Sequence, residues 1–173
     1  MTISLYDATV ASYQQTLGAV AGFLDRGLAH CTDNNIDPDS LVDARLYADM
    51  LPLRFQAVSV AHHSIGAIEG VKQGRFGPPS ATPEPGYAGL RKIVAEALDA
   101  LGKLTPAEVN GLEGRDVVFQ VGDFKLPFTA EGFLLSFSLP NFHFHCATAY
   151  DILRSNGVPL GKRDYMGKLR LKS

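Results

Sequence analysis

Thr129-Ala-Glu-Gly-Phe-Leu-Leu-Ser-Phe-Ser-Leu-Pro-Asn-Phe-His-Phe-His-Cys-Ala-Thr-Ala-Tyr-Asp-Ile-Leu-Arg-Ser155 runs without a turn signal until Asn156-Gly157. That pattern predicts a long helix over 129–155, with Asn156-Gly157 as its C-terminal stop. Pro140 lies inside it and should kink or split it. Seven of the ten Phe fall between 119 and 144. The helix is apolar nearly all round, so it should be buried on several sides. A helix buried that way needs other helices to cover it.

The rest of the chain supplies them. Residues 3–30 carry Tyr6, Val10, Tyr13, Leu17, Val20, Leu24 and Leu28 at three- and four-residue steps, the period of one helix face. Residues 52–73 repeat the pattern on Leu53, Ala57, Val60, Ser64, Ala67 and Val71, and 86–104 on Leu90, Val94, Ala97, Leu101 and Leu104. Asp37-Pro-Asp39 suits the start of a short helical turn, and Thr105-Pro-Ala-Glu108 has the form of a capping box. The Pro and Gly density of 74–86 predicts a loop. Over 115–128, Val117–Val121 and Phe124–Phe128 read as two short strands around Gly122-Asp123. Pro127 confines the second to a sheet edge. One hairpin is unstable alone, so it must pack on the helices. The expected fold is all-α: a four-helix bundle with a small β-hairpin inserted between helices three and four, in a single domain over 1–173. The order of the helices in the bundle stays open.

Composition agrees. The chain has 173 residues, 46% hydrophobic and 20% charged, ordinary values for a globular protein. A formal net charge of -2 gives no electrostatic footprint for nucleic acid, and the basic tail after 157 reads as solvated. The longest clean apolar run, Leu17–Leu24, is far short of the roughly 20 residues of a membrane span. No signal-peptide pattern opens the chain. Cys31 and Cys146 read as reduced thiols. A cytoplasmic protein with no nucleic-acid or membrane partner is expected.

On the last helix, Ser138, Asn141, His145 and Thr148 follow steps of three, four and three, so they share one face. Leu134, Phe142, Ala149 and Ile152 stand among them. Polar groups on an inward face need partners, or each costs about 1–3 kcal/mol. They satisfy one another as a core network, or they line a pocket. His143 points about 200° from His145 on a helix and reads as a surface or interface residue. On helix two, Gln56 and His63 lie nearest the apolar stripe, and His62 lies further round. Tyr13 could join from helix one. The candidate pocket is therefore Gln56, His63, Asn141, His145, Tyr13 and Thr148, with His145 the best candidate for an acid/base or hydrogen-bonding group. Cys146 neighbours His145 in sequence but points about 100° away, which argues against a Cys–His dyad. No phosphate-loop, dinucleotide, Gly-x-Ser-x-Gly or His-Glu-x-x-His motif occurs.

The closing stretch Leu139-Pro-Asn-Phe-His-Phe-His-Cys-Ala-Thr-Ala-Tyr-Asp-Ile-Leu-Arg-Ser-Asn-Gly-Val-Pro-Leu-Gly-Lys-Arg-Asp-Tyr-Met-Gly167 resembles the final signature of a family of unknown function placed among the DinB/YfiT-like metalloenzymes. Leu46-Tyr-Ala-Asp-Met-Leu-Pro-Leu-Arg-Phe-Gln56 resembles that family's second motif. The resemblance implies a four-helix bundle, often a homodimer. In the wider superfamily it implies thiol-dependent transferases and isomerases that use a divalent metal. Those relatives hold the metal with one His on the second helix and a His-x-x-x-His pair on the last. Here the residue four after His145 is Ala149, four before it is Asn141, and four after His143 is Ala147. The pair is missing and the metal site reads as degenerate. His63 and His145 remain as candidate ligands for a divalent zinc or nickel ion, and no cofactor is assigned. The tail motif Gly161-Lys-Arg-Asp-Tyr-Met-Gly167 has no catalytic logic of its own.

Three functions stay in contention. The first is a small-molecule-binding or metal-free enzyme-like bundle with a polar pocket around His145. The second is a divalent-metal-dependent transferase or hydrolase of the DinB-like type. The third is a non-enzymatic dimeric interaction protein, for which the Phe-rich 119–144 segment supplies apolar surface and predicts a homodimer through helix four or the hairpin. Whether the protein is an enzyme, and on what substrate, is not legible.

Overall fold

The computed structural model describes residues 3–79 and 85–172. Residues 80–84, part of the expected 74–86 loop, lie outside the described residues. The first expected helix is two: α1, Leu5–Ala8, and α2, Val10–Asp33. Thr9 separates them, because its hydroxyl donates to the Leu5 carbonyl at 2.6 Å and its backbone leaves regular helix. The far end passes His30 and stops at Asn34, whose side chain donates to the His30 carbonyl at 2.8 Å. A 3-10 turn, Pro38–Leu41, follows, with the Asp37 side chain accepting from the Asp39 amide.

The second expected helix holds as α3, Leu53–Ala61, a π turn over His62–Gly66, and α4, Ala67–Gln73. Gly74, at φ 72°, ends it. α5 spans Tyr87–Gly102 and starts with its first amide donating to the Asp39 carboxylate at 2.7 Å. The Tyr87 hydroxyl donates to the Leu24 carbonyl at 2.9 Å. α6, Pro106–Asn110, has the capping box of Thr105 and Glu108. The last expected helix is α7, Ala130–Phe133, a second π turn over Leu134–Ser138, and α8, Leu139–Ser155. Pro140 thus sits in the first turn of α8, where its missing N–H is least disruptive, and the widened turn before it accommodates the ring. Gly157, at φ 90°, follows the helix end, as its sequence position suggested.

Among the described residues, three strands rather than two form the sheet. β1, Arg75–Phe76, pairs parallel with β2, Asp116–Val121, which pairs antiparallel with β3, Phe124–Thr129. The order β1-β2-β3 makes β2 central and leaves Pro127 on an edge. Part of the expected loop is therefore a strand. Two residues cannot signal a strand locally; Phe76 is fixed there by burial, against Phe133 at 5.0 Å. The basic residues of the tail are exposed, as expected, and part of the tail is a short helix. α9, Lys162–Met166, lies against α2. There Arg26 pairs with Asp164, and Gln15 donates to the Met166 carbonyl at 3.0 Å.

The fold is mostly helical with one small sheet. α2 packs against α5 and α8, and α3 packs against the same two. Their buried faces form one apolar core containing Leu17, Phe23, Val60, Leu90, Phe142 and Ile152. Cys31 and Cys146 are free, buried thiols. No helix among the described residues is long and apolar enough to cross a membrane.

Candidate functional site

The two π turns meet. Each carries an extra residue in its helical ladder, a widening found often at functional sites. Ser138, the last residue of one, is fully buried and donates to the backbone carbonyl of His63 in the other at 2.7 Å. Tyr13 from α2 donates its hydroxyl to Ser138 Oγ at 3.3 Å. Its ring is wholly buried, edge-on to Phe142. Burial pushes the phenol pKa well up, so Tyr13 is a neutral donor.

Gln56 fixes His145. The Gln56 Nε2 donates to the Leu51 carbonyl at 2.8 Å, which turns Oε1 toward the imidazole. His145 Nδ1 lies 2.7 Å from that oxygen. An amide oxygen only accepts, so Nδ1 carries the hydrogen and Nε2 is left as a bare acceptor. This tautomer is assigned from the chemistry of the partner. Burial lowers the pKa of His145 to about 4, with the neighbouring His62 adding to the effect. Phe55 and Phe144 flank the ring edge-on at 5.8 and 5.3 Å.

His63 stacks on His145, with ring centroids 5.7 Å apart and planes at 19°. Its Nδ1 is buried with no hydrogen-bond partner among the described residues. Burial first, then His62 and His145, lowers its pKa to about 3. His62 lies further round than His63, as its position suggested. It is half-buried, stacks on Phe76 at 4.3 Å, and donates from Nε2 to the Gly77 carbonyl at 2.7 Å.

Tyr13, Gln56, His63 and His145 therefore meet at one level, together with Ser138. Asn141 and Thr148 share the face but bond their own helix. The Asn141 amide donates to the Phe137 carbonyl at 2.7 Å, and the Thr148 hydroxyl to the Phe144 carbonyl at 2.8 Å. Such back-bonding is invisible to a face diagram. His143 is half-buried, and burial lowers its pKa. Phe76 and Phe137, which both contact His63, carried no sequence signal as site residues. Only the Phe density around 137 hinted at an aromatic wall.

The donor set does not fit an ion held by three imidazoles. Among the described residues, no group of three or more His, Cys, Asp or Glu could hold a metal. With His145 Nδ1 on Gln56, Nε2 is the ring's one remaining acceptor.

The family model for the domain of unknown function DUF1993 matches residues 5–166. A crystal structure of a DinB family member protein from Shewanella denitrificans is similar over 98% of this chain and 95% of that one. It shares 26% sequence identity with this chain, and the TM-score is 0.79. No curated protein matches the chain.

Proposed function

This chain belongs to the DUF1993 family, and from that premise we propose that it is a DinB-like four-helix bundle that binds a small hydrogen-bond donor at His145. The observation that carries the reading is the Gln56–His145 hydrogen bond, which leaves Nε2 as an acceptor. A buried hydrogen bond that sets one tautomer preorganises one face of the ring for one kind of partner. With a pKa near 4, His145 is neutral at physiological pH and holds a captured proton poorly. It is suited to accept a hydrogen bond from a hydroxyl, thiol or N–H group, and less suited to store a proton as a general acid. His63, neutral for the same reason, stacks beside it and supplies a flat wall. The mismatch with a three-imidazole ion favours this metal-free reading.

Nitrogen-15 spectra of histidine-labelled protein test it. At pH 7 the His145 signals should show a protonated Nδ1 and a bare Nε2. Titration with phenol, 2-mercaptoethanol and acetamide should move Nε2 saturably for at least one probe, and Gln56→Leu should abolish the response. A His145 protonated on Nε2, or no saturable change with any probe, would refute the reading.

A further inference from the structure

A second site lies on the other side of Phe76 from the His63–His145 pair. A cleft of about 620 Å³ opens between the π turn and α4 on one wall and β1 and β2 on the other. That volume is within the range of small-molecule sites. Its polar wall is His62, Glu69, Gln73, Arg75 and Gln120.

The chemistry of that wall is specific. His62 is clamped by stacking on Phe76 and by donating from Nε2 to the Gly77 carbonyl at 2.7 Å. A carbonyl only accepts, so Nε2 carries the hydrogen and Nδ1 is an acceptor. Gly66 leaves that nitrogen uncovered: a Cβ there would stand 3.4 Å from His62 Nδ1. Glu69 receives Lys72 on Oε1 at 2.7 Å, leaving Oε2. Gln120 gives its amide hydrogen to the Gly122 carbonyl at 2.9 Å, leaving its oxygen as an acceptor. Arg75 is exposed and has no ion pair among the described residues. One side of the cleft thus offers a guanidinium shaped for a carboxylate. The other offers the Glu69 carboxylate and the His62 Nδ1 acceptor, which suit an ammonium group.

We propose that this cleft binds an α-amino acid as its zwitterion, with the carboxylate on Arg75 and the ammonium group on Glu69 and His62 Nδ1. A simple anion would meet Glu69, and a simple cation would meet Arg75. The zwitterion satisfies both. The volume leaves room for a side chain against Gln73 and Gln120. The proposal is independent of the His145 reading, since Phe76 stands between the two sites and different side chains serve each.

The test is an amide-detected NMR titration of the full chain with the proteinogenic amino acids, and with acetate and methylammonium as the two halves. At least one amino acid should shift the Gly66, Gly77 and Gln120 amides saturably, with the halves binding about tenfold or more weakly. Arg75→Gln and Glu69→Gln should each weaken binding about tenfold or more. Gly66→Ala is the sharpest variant, because its methyl fits at contact distance and alanine favours helix, yet it covers Nδ1. It should melt no lower than the parent and bind about tenfold more weakly. No saturable shift by about 10 mM for any amino acid would overturn the proposal. So would equal binding of acetate alone, or undiminished binding by folded Arg75→Gln protein.

Discussion

Acid should unfold this protein through two histidines. His63 and His145 have pKa values lowered to about 3 and about 4 from an ordinary 6.5, and each is 9% exposed. The unfolded chain returns both to 6.5. Below that pH the unfolded state therefore binds two protons that the folded state refuses. Their contribution to stability is complete above pH 6.5 and falls as pH drops toward the folded values. Each removes about 1.4 kcal/mol per pH unit. Together they remove on the order of 5 kcal/mol by about pH 4.5, comparable with the whole stability of a marginal domain. Urea denaturation between pH 7 and 4.5, followed by far-UV circular dichroism, measures the loss. The comparison is a His63→Asn/His145→Gln double variant, whose stability should depend on pH less steeply by about 2.7 kcal/mol per unit. His62, also lowered by burial, is present in both proteins and cancels. Equal slopes in the two proteins would refute the reasoning, as would a folded-state titration of either histidine near 6.5.

Three further outcomes are expected. Ser138→Ala strands the buried Tyr13 hydroxyl and takes a donor from the His63 carbonyl, so it should cost about 1–3 kcal/mol in urea melts. Adding Tyr13→Phe should then cost less than it does in the parent. Gly27→Ala places a methyl 2.1 Å from the Tyr87 hydroxyl oxygen and should lower stability by about 2 kcal/mol or more. Tyr87→Phe should recover part of that loss, because the ring carbon beneath the oxygen is 3.3 Å away. Phe144 is 57% exposed beside His145, and Val121 and Phe124 are exposed at the hairpin turn. A twofold dimer through one of these surfaces should appear by light scattering at micromolar concentration, and Phe144→Glu should dissociate it if α8 is the interface; a monomeric parent would refute the dimer.

The helices were legible because their apolar residues repeat at the helical period, and their ends because Asn156-Gly157, Gly74 and Thr105-Pro-Ala-Glu108 carry local stop and start chemistry. The hairpin was legible for the same reason. β1 was not, since Arg75-Phe76 becomes a strand only by pairing with residues some forty positions on. The docking of α9 depends on Arg26 and Gln15, more remote still in sequence. At the site, Gln56, His63, His145 and Tyr13 were legible as a group because each lies on an inward stripe. Asn141 and Thr148 share that face, and their back-bonding to the Phe137 and Phe144 carbonyls leaves no mark in the sequence period. Pro140 hinted that something must give in the last helix, but nothing in His62-His-Ser-Ile-Gly66 announced its counterpart.

Those paired π turns change what helix length means in this protein. Each adds a residue without adding a corresponding stretch of rod. Removing one residue, such as Ile65 or Leu135, would let that helix close into a regular α-helical ladder spanning much the same distance. The elements could still pack, but His63 or Ser138 would be rotated out of register with its partner. The residue count of these two helices is thus set by the chemistry between them more than by the distance they cross. An insertion or deletion there would act as a change of site rather than of scaffold.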